Sequence, residues 1–518
     1  MGLLLAESLP FRGSLLITTV KILTSLVLLF TSWMCWTYRN RGFRSSASAN
    51  SKWIAGPKGK AFKGSVQELQ TGGAASCKAW FSLYQQYGPA YEMTIPFFRL
   101  HIINHPTYLE HIQKHNSKNY IRGAFTRNVF KSLHRSSIFI SDGPAWHLQR
   151  KAATKAFSKA NFEKHITRSL HYWLDVLMKL LSNLERENQE FDFQELMGRL
   201  MFCLFLQVAF HEEKMALEIL SEDPKSLKSK PVYVEAFDNA LYLFDRRRRD
   251  PLWKFNERMS GEDKISQHAV GLFYEQIDGL IQRRLDAMNS GYKPDPDAGV
   301  DLLDLFIQST QDRYTLGGMV FAFLSAGRDT TAYTISWLMK EIHHDDNKHL
   351  DALSKIRTEK LQFTNAMWDE NARLNTVSPA GQMEAADDDI LPAVPELNMP
   401  PRHIKKGDIV SYQNYVISRM PQVWGEDAAI FNPSRWFKEN GESISHGPFK
   451  YHSWNAGPRS CLGRALATYE GIAITTAILQ RFDVILHDTS MPYEPLAALN
   501  MGIKDGLPMR LRKREIRS

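Results

Sequence analysis

The feature that most constrains this chain is the segment 454–463, which reads WNAGPRSCLG. It places Cys461 in a loop between Gly457 and Gly463, directly before a helix-like pattern over 464–482. A thiol at a helix N-terminus lies near the positive end of the helix dipole, which lowers its pKa and favours the thiolate. The glycines allow the backbone to approach a large flat ligand. The segment predicts a thiolate that binds iron from one side, with a buried structural cysteine as the alternative.

The segment resembles the cysteine-ligand loop of the cytochromes P450, whose pattern is aromatic-x-x-Gly-x-Arg-x-Cys-x-Gly. Trp454 stands where phenylalanine is usual, and every other fixed position matches. The resemblance implies that Cys461 is the axial ligand of a haem b iron (iron protoporphyrin IX) and that O2 is a co-substrate. It also implies the P450 fold, which is mainly α with small β-sheets.

Composition agrees with a large globular enzyme. The chain has 518 residues, of which 43% are hydrophobic and 23% charged, so it can build a core. Four cysteines do not make a disulfide framework and fit a reducing compartment. The formal net charge of +8 indicates an acidic partner or an anionic membrane surface, with a generic basic surface as the alternative. We expect no nucleic-acid partner.

An uncharged apolar run over residues 22–38 is the membrane signal. Its length reaches the lower end of what a spanning helix needs, about 17 residues. Arg39, Arg41 and Arg44 follow directly, and positive residues stay on the cytosolic side. Lys21 at the start of the run can extend its side chain to the interface. These residues predict a single-pass anchor with the rest of the chain in the cytosol.

The predicted organisation is therefore a membrane anchor over 1–44, a linker over 45–60 and one haem domain over 61–518. The resemblance places the anchor in the endoplasmic reticulum membrane. A cleaved signal peptide is the alternative, since residues 47–49 read Ala-Ser-Ala. Three arginines before that site argue against it.

Apolar residues recur at helical spacing through most of the chain, for example over 172–184 and 191–210. Short strand-like segments occur at 90–96, 100–103, 408–412 and 484–487. Two stretches, 289–299 and 382–401, have the polar composition of surface loops.

A second motif, Ala326-Gly-Arg-Asp-Thr-Thr331, lies within a predicted apolar helix over 315–340. Gly327 costs about 1 kcal/mol relative to alanine there, and a small residue allows a flat ligand to approach. Thr330 can bond a carbonyl one turn back. The motif resembles the distal helix of P450s, which implies that Thr330 stabilises bound dioxygen and that Asp329 is the relay acid. The alternative is a helix kink with an exposed Asp–Arg pair.

Two further groups of residues resemble P450 motifs. Glu370 and Arg373 lie three apart on one helix face, and Arg435 belongs to a segment that resembles Pro-Glu-Arg-Phe/Trp, with Ser434 in place of the acid. The resemblance implies a structural network of Glu370, Arg373 and Arg435 behind the haem.

Trp146 and Arg150 have the spacing of the helix that reaches a haem propionate in the family, and Arg459 is expected to bind propionates as well. A cation–π pair at the surface is the alternative for Trp146 and Arg150.

The chain also departs from the family pattern. The stretch between Thr331 and Glu370 is shorter than usual, by enough to remove a helix. The expected arginine after the Glu-x-x-Arg motif falls on Gln382 or Met383. These departures leave open a gene-model error or a non-catalytic, degenerate haem-binding remnant. The intact cysteine loop and distal helix favour an active enzyme.

An active P450 inserts one oxygen atom of O2 into a C–H bond of a lipophilic substrate. The chain shows no flavin or dinucleotide fingerprint, so NADPH is expected to act only through a partner. The resemblance implies NADPH–cytochrome P450 reductase as electron donor, with cytochrome b5 as a further candidate. Lys151, Lys155, Lys159 and Arg464 offer a basic docking face.

Segments 236–240, 423–428 and 504–507 resemble those of P450s that hydroxylate fatty acids or alkanes near the chain end. The four arginines at 246–249 are more typical of a solvated or lipid-headgroup face, although one could bind a fatty-acid carboxylate. A reductase-independent P450 that rearranges peroxides is a further alternative. The Asp329–Thr330 pair argues against it, because peroxide rearrangement does not need oxygen activation.

Overall fold

The computed structural model describes residues 11–37, 56–57, 74–95, 98–158, 161, 165–250, 252–291, 301–358 and 361–514. Over these residues the protein is mainly helical. The α-helices are α1 (Phe11–Thr37), α2 (Ala74–Tyr87), α3 (Pro106–Glu110), α4 (Gly123–His134), α5 (Gly143–Ala156), α6 (Thr167–Arg186), α7 (Phe193–Phe210), α8 (Glu213–Ile219), α9 (Val232–Arg249), α10 (Trp253–Ser260), α11 (Glu262–Asn289), α12 (Leu302–Ser309), α13 (Arg313–His343), α14 (Ala352–Arg357), α15 (Leu361–Leu374), α16 (Asn414–Ile417), α17 (Pro421–Trp424) and α18 (Arg464–Arg481).

The strands are short and form small sheets. They are β1 (Ala90–Ile95), β2 (Phe98–Ile103), β3 (Tyr120–Ile121), β4 (Phe191–Asp192), β5 (Gly381–Ala385), β6 (Asp389–Leu391), β7 (Arg402–Ile404), β8 (Ile409–Tyr412), β9 (Phe482–Leu486), β10 (Pro495–Ala497), β11 (Met501–Ile503) and β12 (Pro508–Lys513).

The largest sheet among the described residues has five strands in the order β1-β2-β8-β5-β3. Strands β1 and β2 form an antiparallel hairpin with Ala90 opposite Ile103. Strand β8 joins β2 in parallel, with Leu100 opposite Ile409. A second sheet has the order β4-β12-β9, and it connects the chain end to the start of α7.

The core is built around α7 and α13, which pack along each other. Helix α7 is apolar on nearly all sides and nearly all of its residues are buried, as expected for a helix at the centre of a large domain. It begins after Asp192, whose carboxylate accepts a hydrogen bond from the N–H of Gln194. Helix α13 begins in the same way, because Asp312 accepts from the N–H of Thr315.

Helix α7 is also the described helix that is long and apolar enough to cross a membrane, but 83% of it is buried inside the protein. Helix α1 carries the shorter apolar stretch Ile17–Ser32, and nearly all of its described side chains are exposed, including Leu29 at 67%. The aromatic and basic residues expected at the end of the anchor, and nearly all of the linker over 45–60, lie outside the described residues.

The predicted strands near 90, 100, 410 and 484 are confirmed as β1, β2, β8 and β9. The helix predicted over 191–210 begins two residues later, because Phe191 and Asp192 pair with β12. The loop prediction for 382–401 is wrong, since β5 and β6 lie there. Met383, Ala385 and Leu391 are buried, and the many acidic residues between them hid this apolar set. Most of 289–299 lies outside the described residues.

Candidate active site

The loop before α18 is folded tightly around Cys461. A 3-10 turn over Gly457–Arg459 precedes the cysteine, and the Cys461 N–H donates to the Trp454 carbonyl at 2.8 Å. Gly457 has a φ of +65°, and a Cβ there would collide with the backbone carbonyl of Gln113. Only glycine satisfies both conditions, so this position fixes the path of the loop.

The environment of the Cys461 thiol contains opposing influences. Burial raises its pKa above the ordinary value, while backbone N–H groups of Gly463 and Arg464 and the charges of Arg150 and Arg464 act to lower it. The helix N-terminus therefore acts in the predicted direction, and desolvation acts against it. A metal ion bound to the sulfur deprotonates a thiol outright and reverses that balance.

Cys461 lines a cavity of about 250 Å³ that runs between the cysteine loop and α13. This volume lies just below the usual range for small-molecule sites, about 300–1,000 Å³. Ala326, Gly327 and Thr330 line the side contributed by α13. The structure thus brings the two sequence motifs, which are more than a hundred residues apart, to one cavity.

Thr330 occupies the position in the helix that the sequence predicted for it. Its hydroxyl donates to the Ala326 carbonyl, one turn earlier, at 2.6 Å. Helix α13 continues without interruption from Arg313 to His343. Two threonines of this turn, Thr330 and Thr331, line the cavity.

Gly327 lies between the cavity and α7. A Cβ at this position would collide with the ring of Phe205 on α7, so Gly327 allows α7 and α13 to pack closely. Gly327 and Phe205 both line the cavity. The approach of a flat ligand to the backbone at Gly327 stays a prediction.

Asp329 is not among the residues that line the cavity. Its carboxylate lies 3.6 Å from the Arg328 guanidinium, which also pairs with Asp238 on α9. Asp329 is buried, and burial raises its pKa while Arg328 opposes the shift. The alternative of an exposed Asp–Arg pair is therefore wrong, because both residues are buried.

Arginines form one end of the cavity. Arg150 donates to the Ser460 carbonyl at 2.8 Å, directly beside Cys461. The Arg459 guanidinium lies 4.7 Å from the Trp146 ring and donates to Asp142 at 2.7 Å. Trp146 is buried and stacks with Arg459, so the alternative of a surface pair with Arg150 does not describe this site.

Arg122 belongs to the same end of the cavity and was missed by the sequence reasoning. It lines the cavity, and its Nε is buried without a hydrogen-bond partner in the described part of the chain. Burial and the charge of Arg122 lower the pKa of Arg459 to about 10. The Asp142 carboxylate accepts from the backbone N–H of Arg122 and from the guanidinium groups of Arg127 and Arg459. No recognised motif contains Arg122, so only the fold reveals it.

The positions expected to supply an arginine have other roles. Gln382 donates to the Thr126 hydroxyl at 3.2 Å, and Met383 is buried in the core beneath the main sheet. The family pattern expects an arginine at position 382 or 383, and this chain has none there. Arg122 supplies a positive charge at the cavity in its place.

Glu370 lies at the centre of a dense polar network behind the cysteine loop. The Arg373 side chain donates to both of its oxygens, at 2.7 and 2.8 Å, and Arg435 Nε donates at 3.0 Å. The backbone N–H of Asn432 and the indole of Trp436 complete the set at 2.8 and 3.0 Å. The structure therefore brings Glu370, Arg373 and Arg435 together. Ser434 does not take part, and Asp427 accepts from Arg435 instead.

A hydrogen-bonded chain joins this region to the cysteine loop. The Trp454 indole donates to the Tyr451 hydroxyl at 3.0 Å, and Tyr451 donates to Asp369 at 3.0 Å. The tryptophan that departs from the family pattern thus has a partner for its N–H.

Glu470 on α18 is a second residue that the sequence reasoning missed. It is the one acidic side chain among the described residues that line the cavity. It is 5% exposed, and burial alone raises the pKa of its carboxyl group to about 8. In our sequence analysis, no pattern distinguished Glu470 from a glutamate at the protein surface.

The short segment between Thr331 and Glu370 is well packed. It contains the end of α13, a 3-10 turn over Asp345–Leu350, and α14. Arg357 at the end of α14 donates to the Leu479 and Phe482 carbonyls, at 2.8 and 3.1 Å. Although this segment is shorter than is usual in the family, α13, α15 and α18 are in mutual contact.

The four arginines that end α9 are each paired with a carboxylate. The pairs are Arg246–Glu262, Arg247–Glu257, and both Arg248 and Arg249 with Asp245. Arg247 is buried. A lipid headgroup or substrate carboxylate would have to compete with these internal partners.

The cavity suits a flat, anionic, metal-bearing group. One soft sulfur ligand faces it, and three arginines collect at one end. Among the described residues, a buried guanidinium nitrogen at that end has no hydrogen-bond partner. Thiolate ligands suit iron, and arginines suit carboxylates. A porphyrin that carries iron and two carboxylates matches this donor set.

A sequence profile described as Cytochrome P450 matches residues 54–504. The chain belongs to the cytochrome P450 family. It is 32% identical to cytochrome P450 monooxygenase cyp1 of Mycosarcoma maydis over 436 residues, which cover 78% of this chain and 66% of that protein. It is 27% identical to cytochrome P450 94A1 of Vicia sativa, with 80% and 82% coverage, and to cytochrome P450 94B1 of Arabidopsis thaliana, with 84% and 87% coverage.

Membership of this family of oxygen-incorporating oxidoreductases implies a haem-thiolate iron cofactor. The helical architecture with small sheets agrees with the fold that the sequence predicted. In this P450 the cofactor would be held by Cys461 on one face, with Arg122, Arg150, Arg459 and Trp146 around its carboxylate edge.

Proposed function

We propose that this P450 is an active monooxygenase that hydroxylates a lipophilic substrate, with electrons supplied by an NADPH-dependent reductase. The observation that carries the proposal is the shared cavity, which has the Cys461 sulfur on one side and the Thr330 hydroxyl on the other. The ordered packing of α13, α15 and α18 argues against a degenerate remnant.

The residues around the cavity have separate tasks in this proposal. Cys461 ligates the iron, and Arg459 and Arg150 bind carboxylates of the cofactor together with Arg122. When bound, the haem supplies the chemistry that activates O2 and transfers one oxygen atom to a C–H bond. Trp146 packs against the Arg459 guanidinium and holds it in place.

Thr330 and Asp329 are proposed to handle protons. The Thr330 hydroxyl faces the cavity, and its bond to the Ala326 carbonyl fixes which way the hydroxyl oxygen points. Asp329 lies behind the helix, so it can act only through neighbouring groups and not by direct contact with a ligand in the cavity.

The remaining residues of the cavity wall are apolar and fit a long apolar substrate. Phe139, Phe157, Phe205 and Phe323 line the cavity together with Ile138. Apolar surface removed from water contributes about 25 cal/mol per Å², so an alkyl chain binds such a wall without polar contacts. We propose a fatty acid or alkane as substrate, hydroxylated at or near the chain end. The paired arginines of α9 offer no free cation to a carboxylate, so binding relies on the alkyl chain.

We further propose that the enzyme is anchored by α1 in the endoplasmic reticulum membrane, with its catalytic domain in the cytosol. A second apolar surface supports this location, because Leu252, Phe255, Met259 and Ile265 around α10 are all more than half exposed. Scattered exposed apolar residues are common, but these lie within one short region of chain.

The reductase is proposed to bind on the side of the cysteine loop. Lys151 and Lys155 on α5 and Arg464 on α18 are exposed there, and Leu148 beside them is 51% exposed. Such a face suits an acidic partner. Lys159, the fourth predicted cation, lies outside the described residues.

The reduced carbon monoxide difference spectrum tests the site, and turnover tests the activity. We expect a Soret band at the position typical of a thiolate ligand, and reductase-dependent hydroxylation within a panel of fatty acids and alkanes. A thiolate band without turnover of any member would contradict the substrate proposal. Absence of the band would favour the remnant. Turnover of lipid hydroperoxides without reductase would favour the peroxide-rearranging alternative.

The Thr330→Ala variant tests the proposed hydroxyl. Haem should remain bound, and NADPH oxidation should continue while hydrogen peroxide replaces product, because the proton path is impaired. Thr334→Ala, one turn further along the same helix, is the matched control and should remain coupled. Unchanged coupling in Thr330→Ala would remove this hydroxyl from the mechanism.

A further inference from the structure

Two carboxylates on different helices lie against one buried guanidinium group. Arg328 on α13 forms an ion pair through its Nη1 atom with Asp238 on α9, and the same atom lies 3.6 Å from the Asp329 carboxylate. Arg328 is 5% exposed, and its guanidinium lies over the rings of Phe202 and Phe237. Because water does not screen a cation in such surroundings, its division between the two carboxylates affects both of them.

Asp238 is the closer partner of this guanidinium. Arg328 donates a hydrogen bond to Asp238, whereas Asp329 lies beyond hydrogen-bond distance. Lys230, just before α9, donates to the other oxygen of Asp238 at 2.9 Å and so fixes that carboxylate in place. Asp329 is hydrogen-bonded to Asn500. Asp329 therefore lies near a positive charge that is already engaged.

The titratable groups nearest Asp329 come from the elements packed on its side of α13. They are Arg328 and Tyr333 on α13, Asp238 on α9, Lys230 before α9, and Glu195 on α7. Elements on the other sides of α13 direct buried charges to the pairs Arg135–Asp278, Arg284–Asp301 and Arg373–Glu370, and Glu470 faces the cavity. Burial raises the pKa of the Asp329 carboxyl group, Arg328 lowers it, and Asp238 raises it. The two charges of the Arg328–Asp238 pair thus act on Asp329 with opposite sign.

We propose that Asp238 is a positioning residue for proton handling by Asp329. By binding Arg328, it keeps that guanidinium from becoming the direct ion-pair partner of Asp329, so the Asp329 carboxyl group stays able to take up and release a proton. Among the described residues, Asp329 is the carboxylate left to Arg328 when Asp238 is removed. An ion pair with arginine holds a carboxylate in its ionised form, which has no proton to give.

The inference rests on the monooxygenase activity proposed above. In that reaction O2, a C–H bond, two electrons from the reductase and two protons give one hydroxyl group on the substrate and one water molecule. When protons arrive too slowly, reduced oxygen leaves as hydrogen peroxide and the electrons of NADPH are lost. The yield of product per NADPH therefore reports on proton handling.

The first test measures the protonation of Asp329 without substrate. In the full-length, haem-loaded protein, infrared spectroscopy should show a protonated-carboxyl band that is absent from Asp329→Asn and disappears as the pH rises. Asp238→Asn should move the midpoint of this change to lower pH, by about one to three units, as for a carboxylate beside an arginine. Arg328→Gln should move it to higher pH, because the cation that stabilises the ionised form is gone. An ion pair with a purely structural role would not give shifts of opposite sign.

Two further variants control this test. Lys230→Gln removes a cation of the same cluster whose side chain is 26% exposed, so it should fold and also move the midpoint to higher pH. Glu235→Gln removes an equal charge from the exposed face of α9 and should leave the midpoint unchanged. Shifts of Asp238→Asn and Lys230→Gln in the same direction overturn the proposal, as does an unmoved midpoint in Asp238→Asn or a wild type without the band.

The second test follows coupling during turnover of dodecanoic acid with reductase. At neutral pH, Asp238→Asn should give several-fold less product per NADPH, with the difference released as hydrogen peroxide, and the loss should shrink as the pH is lowered. Asp238→Glu keeps the carboxylate and should restore part of the coupling. Adding Arg328→Gln to Asp238→Asn should also restore coupling, because the cation that pairs with Asp329 is removed. Normal coupling of Asp238→Asn at every pH overturns the proposal.

The two failures can be told apart. If the wild-type protein shows no thiolate band with carbon monoxide, the monooxygenase assignment fails. If it shows that band and the infrared midpoint does not move in Asp238→Asn, the inference about Asp238 fails alone. If dodecanoic acid is not oxidised by the wild type, the infrared test still decides the role of Asp238.

Discussion

Glu370 and Glu470 are both buried glutamates on helices that pack against each other, yet their surroundings are opposite. Glu370 accepts hydrogen bonds from Arg373, Arg435, Asn432 and Trp436, so both of its oxygens are satisfied. Glu470 has no such partner among the described residues, and burial raises its pKa to about 8. A carboxylate surrounded by donors is a fixed part of the scaffold, whereas one without donors remains free to exchange a proton.

The contrast extends to the two sides of the cavity. The loop side is held by a network of charged hydrogen bonds, and such networks rigidify a site when every member is satisfied. The α13 side is held by close apolar packing, with Phe205 against Gly327. The charged network therefore fixes the position of the metal ligand, and the apolar packing supplies a wall without polar groups for a lipophilic substrate.

The largest effect is expected at Cys461, whose side chain lines the cavity. Cys461→Ala should abolish the thiolate Soret band and all oxygenation, because no second sulfur lines the cavity within the described residues. The check is the reduced carbon monoxide spectrum, with Cys203→Ala as a control that removes a buried cysteine elsewhere. Normal oxygenation by Cys461→Ala would refute the site.

The next largest effect should come from Glu370. Glu370→Gln leaves Arg373 and Arg435 buried beside a neutral amide, and breaking such a pair costs about 3–5 kcal/mol. Denaturant unfolding of the apoprotein would measure the loss. Glu442→Gln removes the partner of Lys438 in an exposed pair and should leave stability unchanged. Equal stability of the two variants would show that the Glu370 network does not support the fold.

Glu470 should affect stability in the opposite sense. Its folded pKa of about 8 exceeds the ordinary 4.5, so the folded protein holds a proton that the unfolded chain releases. Stability should therefore fall as the pH rises between these values, by about 1.4 kcal/mol per pH unit. Glu470→Gln should lose this slope and be more stable than wild type above about pH 8. Parallel pH profiles of the two proteins would show that Glu470 has an ordinary pKa.

The smallest of these effects tests the apolar side. Gly327→Ala places a methyl group where the Phe205 ring lies, and overpacking of this kind costs about 1–3 kcal/mol. Phe205→Leu should recover most of the loss in the double variant, while Phe205→Leu alone should be destabilised by the space it leaves. Additive losses in the double variant would show that the two residues do not share this contact.

Much of the fold and site follows from short patterns. The positions of Cys461, Thr330, Glu370 and Arg373 were predicted because their chemistry depends on neighbours within a few residues. Alternating apolar residues gave β1, β2, β8 and β9 for the same local reason.

The rest depends on contacts between distant parts of the chain. Arg122 reaches the cavity only because β3 pairs with β5, and Glu470 faces inward only because α18 packs on α13. The filling of the space at Gly327 by Phe205 depends on how α7 and α13 cross. No local sequence pattern predicts such tertiary contacts. The shift of the Cys461 pKa likewise depends on burial by the whole fold.

Trp454 shows that a substitution at one position can depend on the side chains at two others. Its indole N–H is bound by Tyr451, which is bound in turn by Asp369 on α15. Transplanting this tryptophan by itself into a relative that carries phenylalanine would strand a donor next to the metal ligand. The three side chains should therefore be inherited as a set, and a chimaera that exchanges loops between homologues should keep them together.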